Sequence, residues 1–433
     1  MSPLEIGYIC LAVLFVFLFM GTPIGVVMGS VGVLGMIWVS GTNAGLGILK
    51  TVPFTTLSAY NYSVLPLFIL MGELCYYSGL TKSLYWAVHK WVGHLPGGLA
   101  MATVGGCGAF AAVSGSSLAT AATMGTLALP EMKRYKYDPA LATGSIAAGG
   151  TIGILIPPSV ILIIYAILTQ QSVGKLFLAG FIPGVLEAVF YFAVIYILCK
   201  RNPLLGPRGP RADFRERIYA LKDTWGVIAL FVLIIGGIYL GVFTPTEAGG
   251  IGAFGAFLFA IGRRKLTREN FKKSLVETCK STGMILFIIL GAMIFGYFLA
   301  VTRLPFELAN VIADLPFNRY IILIIIIFIY LLIGCVMDAM AMILLTVPIF
   351  FPLAQSLGFD AIWFGIIIVR VFEMASITPP VGMNVYVIHG VAKDIPMSTI
   401  FRGITPFLIA DVCHLALLIA FPQIVLFLPN LMN

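Results

Sequence analysis

The chain has 433 residues, of which 60% are hydrophobic and 10% are charged, and its formal net charge is +8. A mean hydropathy of +1.05 leaves too few polar side chains to cover a water-facing globule of this length. The composition therefore excludes a soluble domain. It predicts an all-α polytopic membrane protein, because apolar runs of spanning length recur along the chain.

The chain carries an internal repeat at an offset of 222 residues. The matched positions are Thr22-Pro23 with Thr244-Pro245, Pro130 with Pro352, Asp138 with Asp360, and Pro157-Pro158 with Pro379-Pro380. With Pro207 and Pro429, which fall outside the matched helices and are discounted, five proline pairs coincide at this offset, where chance predicts about 0.7. The pattern predicts two structural repeats, 1–222 and 223–433, that arose by duplication.

Apolar runs between charged or Gly/Pro breaks predict five spans in each repeat. They are 4–20, 24–39, 54–77, 140–170 and 174–199 in the first repeat, and 225–243, 246–262, 281–300, 361–391 and 401–428 in the second. The stretches 95–130 and 317–352 are apolar but interrupted by small or polar residues, which predicts a re-entrant helical hairpin in each repeat. An odd number of crossings makes the repeats inverted relative to each other.

The segments 79–95 and 301–317 precede the two hairpins and mix charged residues with Leu, Trp and Phe. This composition is typical of interfacial helices that lie along the membrane surface. An ordinary loop is the alternative in each case.

Positive charge is unevenly distributed between the repeats. The cytoplasmic linker predicted at 200–222 and the segment Arg263–Lys280 each hold seven Lys or Arg residues, whereas the loop predicted at 40–53 has only Lys50. The positive-inside rule places both basic segments in the cytoplasm and both termini in the periplasm, with 21 of the 26 Lys and Arg residues inside. Topology thus accounts for the net charge, and no nucleic acid partner is implied.

Two spans are interrupted by tandem proline at equivalent positions, in GGTIGILIPPS at 149–159 and EMASITPPVGMN at 373–384. Tandem proline removes backbone donors and nearby glycine lowers the cost of unwinding, so each span is predicted to split into two half-helices. The freed carbonyls suit a cation and the freed amides an anion. A pair of proline kinks in packed helices is the alternative.

The predicted hairpin tips carry polar residues. The first tip, AAVSGSSLAT at 111–120, concentrates Ser114, Ser116 and Ser117 around a glycine. Such a cluster suits a monovalent cation or a substrate oxygen, or else close helix packing. In the second tip, GCVMDAMA at 334–341, Asp338 occupies the repeat position of Ser116. A carboxylate at this depth is costly unless paired or hydrated, which makes Asp338 a functional candidate.

Further ionisable residues lie inside apolar runs. Arg370 and Glu373 are three residues apart on one helix, so they either neutralise each other or leave Arg370 available to a substrate. Glu73 and Glu187 are predicted near span ends, at the depth of the lipid headgroups. No nucleophile-plus-base pattern, Walker loop or HExxH motif occurs in the sequence, so the chain is predicted not to be an enzyme.

The inverted repeats, the two hairpins, the Ser-Gly-Ser-Ser tip, IPPS and ITPPVGMN together resemble the large membrane subunit of tripartite ATP-independent periplasmic (TRAP) transporters, of the ion-transporter superfamily. The resemblance covers essentially the whole chain. It implies an elevator-type permease of the bacterial inner membrane that is driven by sodium. The substrate would be a small organic acid, of the sialic acid or C4-dicarboxylate type.

The same resemblance implies two protein partners, a soluble periplasmic substrate-binding protein and a separate small membrane subunit of four helices. The hairpins (95–130, 317–352) and broken helices (140–170, 361–391) are expected to form a mobile transport domain, and a closing helix (174–199, 401–428) follows in each repeat. The scaffold, 4–94 and 225–316, would dock the small subunit and face the membrane lipid.

Two sodium ions, Na+, are implied where a hairpin tip meets a broken helix. Carried onto this chain, one site uses Ser114 with the carbonyls of Gly153, Ile156 and Pro158, and the other uses Gly334, Ala375, Thr378 and Val381. Ala375 stands where the family usually has glycine. The candidate polar contacts to an organic anion are Ser116, Thr151, Asp338, Arg370 and Asn384, together with the half-helix start at Ser159.

Two other functions are compatible with parts of the pattern. A stand-alone sodium- or proton-coupled anion permease of the same superfamily would need no binding protein. A structural subunit of a respiratory complex would be expected to carry paired histidines within its spans, and His89, His94, His389 and His414 offer no such pairing.

Overall fold

A computed structural model of the chain describes residues 1–114, 116–222, 224–313, 317–335 and 337–432, without the side chains of Thr81, 111–114, Ala309 and Ala313. All regular structure in these ranges is helical, and no β-strand occurs in them. The all-α prediction is therefore confirmed.

The first half contains eleven α-helices within the described residues. Five precede the hairpin: α1 (Pro3–Phe19), α2 (Ile24–Ser40), α3 (Thr42–Leu57), α4 (Val64–Tyr77) and α5 (Leu80–Val92). The hairpin is α6 (Gly98–Ser114) and α7 (Ser117–Arg134). It is followed by α8 (Pro139–Thr151), a 3-10 turn at Ile152–Ile154, α9 (Val160–Thr169), α10 (Val173–Arg201) and α11 (Phe214–Lys222).

The second half follows a similar order. It begins with α12 (Trp225–Tyr239), α13 (Pro245–Gly262), α14 (Arg268–Thr302) and α15 (Leu304–Ala313). Its hairpin is α16 (Arg319–Gly334) and α17 (Ala339–Ser356), and the chain ends with α18 (Ala361–Ile377), α19 (Met383–Val391), α20 (Met397–Ala420) and α21 (Gln423–Asn430).

Helix boundaries recur at the 222-residue offset. The bounds of α7, shifted by 222, coincide with those of α17. The first residue of α8, shifted by 222, also coincides with the first residue of α18. Asp138 and Asp360 explain this match, because each carboxylate accepts two backbone N–H bonds at the start of its helix. The repeated aspartate is therefore a helix cap in both halves.

The structure corrects several sequence-based boundaries. The predicted loop 40–53 is wrong, since α3 occupies most of it; its TNAGLGILK start has too few large apolar residues to be recognised as a span. The predicted span 281–300 is the second part of the 35-residue α14, which Thr267 caps by accepting the amide of Asn270. The linker 200–222 contains α11, and the closing helix 401–428 breaks near Pro422.

Few helices are long enough to cross a membrane unbroken. Within the described residues, α10, α14, α17 and α20 meet the requirements of length and hydropathy. The pairs α3 with α4 and α11 with α12 meet them only jointly, with bends of 54° and 58°. The helices α1, α2, α9 and α16 are apolar but only 10–17 residues long. Such short apolar helices are typical of transporters built from half-helices and re-entrant segments.

The basic segments come together on one face of the molecule. The linker after α10 hydrogen-bonds to the α5–α6 turn, where the Gly97 amide donates to the carbonyl of Gly206 and the Gly209 amide to the carbonyl of Gly93, both at 3.0 Å. The amide of Asp138 also donates to the linker, at the carbonyl of Leu205. These bonds join the basic linker to the bases of α5, α6 and α8.

Ion pairs and a hydrogen bond extend this basic face. The Lys133 ammonium lies 2.7 Å from the Asp394 carboxylate, and its hydrogen bond lowers the pKa of Asp394. Lys90 pairs with Glu216 of α11 at 2.8 Å, which holds the linker helix against α5. The Arg263 guanidinium donates to the Ser83 hydroxyl at 2.9 Å, which brings the α13–α14 turn to the same face.

Candidate functional site

Both spans with tandem proline are broken where the sequence predicts. The first break separates α8 from α9 and the second separates α18 from α19. The peptide bond within each proline pair is cis. Ser159 caps the start of α9, where its hydroxyl accepts the Leu162 amide at 3.4 Å, and Gly382 precedes α19 with a φ of +61°.

The tip of the second hairpin lies against the second break. A Cβ added to Gly334 would lie 2.7 Å from the Cβ of Ala375, so only glycine allows this approach. The Cys335 thiol lies 3.7 Å from the carbonyl oxygens of Thr378 and Pro379. Three of the four residues named for the second sodium site are thus neighbours, and Val381 lies three residues beyond Thr378 in the same break.

The first hairpin packs on the first broken helix. A Cβ on Gly150 would lie 2.9 Å from the Cβ of Ala121, which brings α8 close to α7. Gly153 and Pro158 are buried and Ile156 is half-buried in the break that follows. The side chain of Ser114, the fourth residue named for this sodium site, lies outside the described part of the chain.

A cavity of about 550 Å³ lies between the two hairpin tips and the helices α4 and α14. Ser116 and Asp338, which are equivalent in the repeat, both line it. Glu73 of α4 and Glu277 of α14 line the opposite side. The cavity is therefore rich in carboxylates, and it is lined by both hairpins and by the scaffold helices α4 and α14.

Ser116 and Asp338 also cap the return helices of their hairpins. The Ser116 hydroxyl accepts the amide of Ala119 at 3.3 Å, and the Asp338 carboxylate accepts the amide of Ala341 at 2.9 Å. Asp338 lines a second, mostly apolar cavity of about 440 Å³ beside the α1–α2 turn. The two residues thus combine a structural role with exposure to a cavity.

A second polar site is closed to solvent and centred on Arg370. The Arg370 guanidinium lies 3.2 Å from Glu187 of α10 and 3.3 Å from Glu373 of its own helix, and it also pairs with Asp411 of α20. Each of these four side chains is at most 1% exposed. The geometry supports the pairing of Arg370 with carboxylates, the structural alternative that the sequence leaves open.

Hydrogen bonds complete the cluster around Arg370. Its Nε donates to Nδ1 of His414 at 3.0 Å, and the Tyr191 hydroxyl donates to Asp411 at 2.7 Å. The Thr151 hydroxyl, at the end of α8, donates to Glu187 at 3.2 Å. We call Arg370, Glu187, Glu373 and Asp411, with His414, Tyr191 and Thr151, the Arg370 cluster. It joins both broken helices to both closing helices.

The six candidate substrate contacts fall into two groups. Ser116 and Asp338 line the 550 Å³ cavity, whereas Thr151, Ser159, Arg370 and Asn384 are buried. Asn384 donates from Nδ2 to the carbonyl of Ala147 at 3.3 Å, and this bond links α19 to α8. The sodium-site and substrate-site assignments therefore stay predictions, with Ser116 and Asp338 the most accessible to a ligand.

Sequence reasoning misplaced Glu187 and gave no role to Asp411 or His414. The prediction of Glu187 near a headgroup is wrong, because the carboxylate is buried against Arg370. A signal was available, since all three residues interrupt apolar runs and Arg370 needs counter-charges. The contacts of Glu187, Asp411 and His414 with Arg370 could not be predicted, because these residues are far from Arg370 in the sequence.

The apolar helices, the broken spans and the hairpins define a multi-pass membrane protein. The family model described as "Tripartite ATP-independent periplasmic transporter, DctM component" matches residues 11–424. The chain belongs to this family of TRAP large permease subunits, as its motifs indicated, and is a multi-pass protein of the bacterial inner membrane.

Two curated relatives support the assignment over most of the chain. The C4-dicarboxylate TRAP transporter large permease protein DctM of Pseudomonas aeruginosa is 39% identical over 379 residues, which are 87% of this chain and 88% of the relative. The sialic acid TRAP transporter large permease protein SiaM of Vibrio cholerae is 34% identical, with 96% of each chain covered. Both relatives are transport proteins, so a role in secondary transport rather than catalysis is supported.

A solved structure supports the fold. The crystal structure of the Alcanivorax borkumensis YdaH transporter has a TM-score of 0.66 over 88% of this chain and 90% of its own, at 14% sequence identity. At this identity, the likeness concerns the arrangement of helices alone.

Replacement of Arg370 by Ala should destabilise the protein by about 3–5 kcal/mol, because three buried carboxylates lose their cationic partner. Arg268→Ala, which removes an exposed arginine at the start of α14, is the matched control. Thermal unfolding of the detergent-solubilised proteins measures the difference. A midpoint for Arg370→Ala equal to that of the control would show that the cluster does not hold the helices together.

Proposed function

We propose that the protein is the large permease subunit of a sodium-coupled transporter that moves a small organic acid across the bacterial inner membrane. The observation that carries the proposal is the 550 Å³ cavity, because Ser116 and Asp338 from two separate hairpins line it together. A transport site at the interface of two repeats requires that equivalent parts of both repeats line one cavity, and the two hairpin tips do so.

We further propose that the two halves are inverted repeats with periplasmic termini. The recurrence of helix bounds at the 222-residue offset supports the duplication. The assembly of the linker, the α13–α14 turn and the base of α7 on one basic face supports a single cytoplasmic side. The helices α5 and α15, which occupy the segments predicted to be interfacial, would then lie on opposite surfaces of the membrane.

The location of the cavity favours an elevator mechanism. The hairpin tips lie on one side of it, and α4 and α14 of the scaffold lie on the other. The Arg370 cluster ties both broken helices and both closing helices into one packed unit. In the proposed mechanism this unit moves as a body against the scaffold, carrying the site across the membrane.

Sodium would bind where a hairpin tip meets a break. At the second break the Thr378 hydroxyl donates to the carbonyl of Met374 at 2.6 Å, which leaves its oxygen lone pairs able to face a cation. Gly334 and Ala375 provide the close approach of tip and break. At the first break the proposed ligands are Ser114 with the carbonyls of Gly153, Ile156 and Pro158.

An organic anion needs help to enter a cavity lined by Glu73, Glu277 and Asp338, because like charges repel it. Bound sodium would offset that negative charge, so we propose that the cation binds before the substrate. The starts of α9 and α19 would then present backbone amides to the carboxylate. The relatives named for C4-dicarboxylate and sialic acid support this substrate class.

The proposed complex includes a periplasmic substrate-binding protein and a small membrane subunit of four helices. The family supports both partners. The scaffold offers apolar surface to the small subunit or to membrane lipid, for example at Val232 and Leu233 of α12, which are 62% and 44% exposed.

Replacement of Asp338 by Asn should lower uptake about tenfold or more, because a negative charge that attracts the cation to the cavity is lost. Asn retains the capping acceptor, so α17 should stay folded. The measurement is uptake of labelled succinate or sialic acid by proteoliposomes that contain the small subunit and the binding protein. Asp360→Asn, which changes the capping carboxylate of α18 and does not line the cavity, is the control and should leave uptake unchanged.

Wild-type uptake in the same proteoliposomes should require sodium and should stop when choline replaces it. Equal uptake in choline, without a proton gradient, would contradict the sodium coupling. Normal uptake by Asp338→Asn would contradict the proposed site but leave the coupling intact.

Sodium should slow the reaction of Cys335 with a maleimide, because the ion would hold the tip against the second break. The protein for this measurement carries Ser at Cys279 and Cys413, the two exposed cysteines. We expect Cys335 to be labelled more slowly in sodium than in choline or potassium. Mass spectrometry measures the rate of labelling. Equal rates in the three salts would argue against a sodium site at this tip.

A further inference from the structure

The Arg370 cluster contains more negative groups than positive ones. Among the described residues, Arg370 is the only Lys, Arg or His within 4.0 Å of the carboxylates of Glu187, Glu373 and Asp411. His414 adds no charge, because its Nδ1 accepts the Nε–H of Arg370 and so carries no proton. Three ionised carboxylates would therefore leave two negative charges uncompensated.

Burial makes such an excess costly. The three carboxylates and Arg370 are at most 1% exposed, and an unpaired buried ion costs several kcal/mol. Unpaired oxygen atoms in the cluster also outnumber unpaired donors. Oε2 of Glu187, Oε1 of Glu373 and Oδ2 of Asp411 are buried without a hydrogen-bond partner among the described residues, against one such donor, Nε2 of His414. A proton on one carboxylate would reduce both the uncompensated negative charge and the number of unpaired oxygen atoms.

We propose that the Arg370 cluster is a proton-binding site and that Glu373 holds the proton as a carboxylic acid. This inference goes beyond the proposed transport function, which assigns the cluster no ligand. The proton comes from solvent and adds to a carboxylate oxygen, so no other reactant is needed. Arg370 then faces two carboxylates, and the cluster gains one O–H donor.

The hydrogen bonds single out Glu373. Asp411 Oδ1 accepts from both Arg370 and the Tyr191 hydroxyl. Glu187 Oε1 lies 3.2 Å from Nη1 of Arg370 and 3.2 Å from the Thr151 hydroxyl, which shares its proton with the Ala148 carbonyl at 2.6 Å. Glu373 has one contact, 3.3 Å from Nη1 of Arg370, and shares that nitrogen with Glu187. Glu373 therefore has the fewest polar contacts of the three carboxylates.

The groups around Glu373 come from every helix of the cluster. They are Arg370 on α18, Glu187 and Tyr191 on α10, Asp411 and His414 on α20, and Thr151 at the end of α8. Only the guanidinium among them is a cation.

The repeat gives an independent argument. Glu373 occupies the position of Thr151 in the other half, near the end of the first half-helix of each broken span. Thr151 places a neutral hydroxyl donor beside Glu187. A protonated Glu373 would place an equivalent neutral O–H group at the matching position, so the two breaks would be supported by similar chemistry.

Infrared difference spectroscopy of the purified protein tests the proposal without any transport assay. The wild-type spectrum minus that of Glu373→Gln should contain the C=O stretch of a buried carboxylic acid, shifted in heavy water. Gln mimics the protonated acid in shape, so the variant should fold and unfold thermally like the wild type. Glu307→Gln, which changes an exposed residue of α15, should leave that band in place.

Persistence of the acid band in Glu373→Gln, or loss of an ionised carboxylate band instead, would overturn the assignment. If Glu373→Gln does not fold, wild-type protein with carbon-13 labelled glutamate provides the second measurement. The acid band should then shift with the label, and absence of a labelled acid band would refute a protonated glutamate. Neither outcome depends on sodium or on uptake, so the proposed function is tested separately.

Discussion

Backbone amides and carbonyls cannot stay unpaired in hydrocarbon, and this constraint governs the structure. Two spans of the chain are interrupted at their proline pairs, and the main-chain groups of these breaks must be satisfied locally. The second break lies against a hairpin tip, with Gly334 beside Ala375 and Cys335 beside the carbonyl of Thr378. The arrangement gives these polar main-chain atoms protein neighbours. The hairpin that supplies them also carries Asp338, which lines the cavity that the two tips share.

The Arg370 cluster meets the same constraint with side chains. Arg370 and Glu373 on α18 reach Glu187 on α10 and Asp411 on α20, while Thr151 links the end of α8 to Glu187. A buried charge network of this kind fixes the relative positions of the helices it joins, because removal of one partner leaves another charge unpaired. The two broken helices, which face each other from different halves, are thereby held in one unit. In the proposed mechanism that unit moves while α4 and α14 stay in place.

The sequence predicts the features that local chemistry determines. The proline pairs predicted both helix breaks, and Ser116 and Asp338 were recognised at the hairpin tips. Their capping role was also readable, because Ser and Asp directly before a helix are common caps. The burial of Glu187 could not be predicted, since it depends on the contact with Arg370, which lies in the other half of the chain. The helix α3 was missed for a related reason, because its polar start resembles a loop until α2 and α14 pack against it.

Cysteine labelling at repeat-equivalent positions tests the inverted arrangement most directly. Asn43 and Lys265 are 222 residues apart and both exposed, and inverted repeats would place them on opposite sides of the membrane. In the variant with Ser at Cys279 and Cys413, a membrane-impermeant maleimide added to spheroplasts should label Asn43→Cys. It should label Lys265→Cys only after permeabilisation. Labelling of both positions from the same side would contradict the inverted repeats and the transport site built on them.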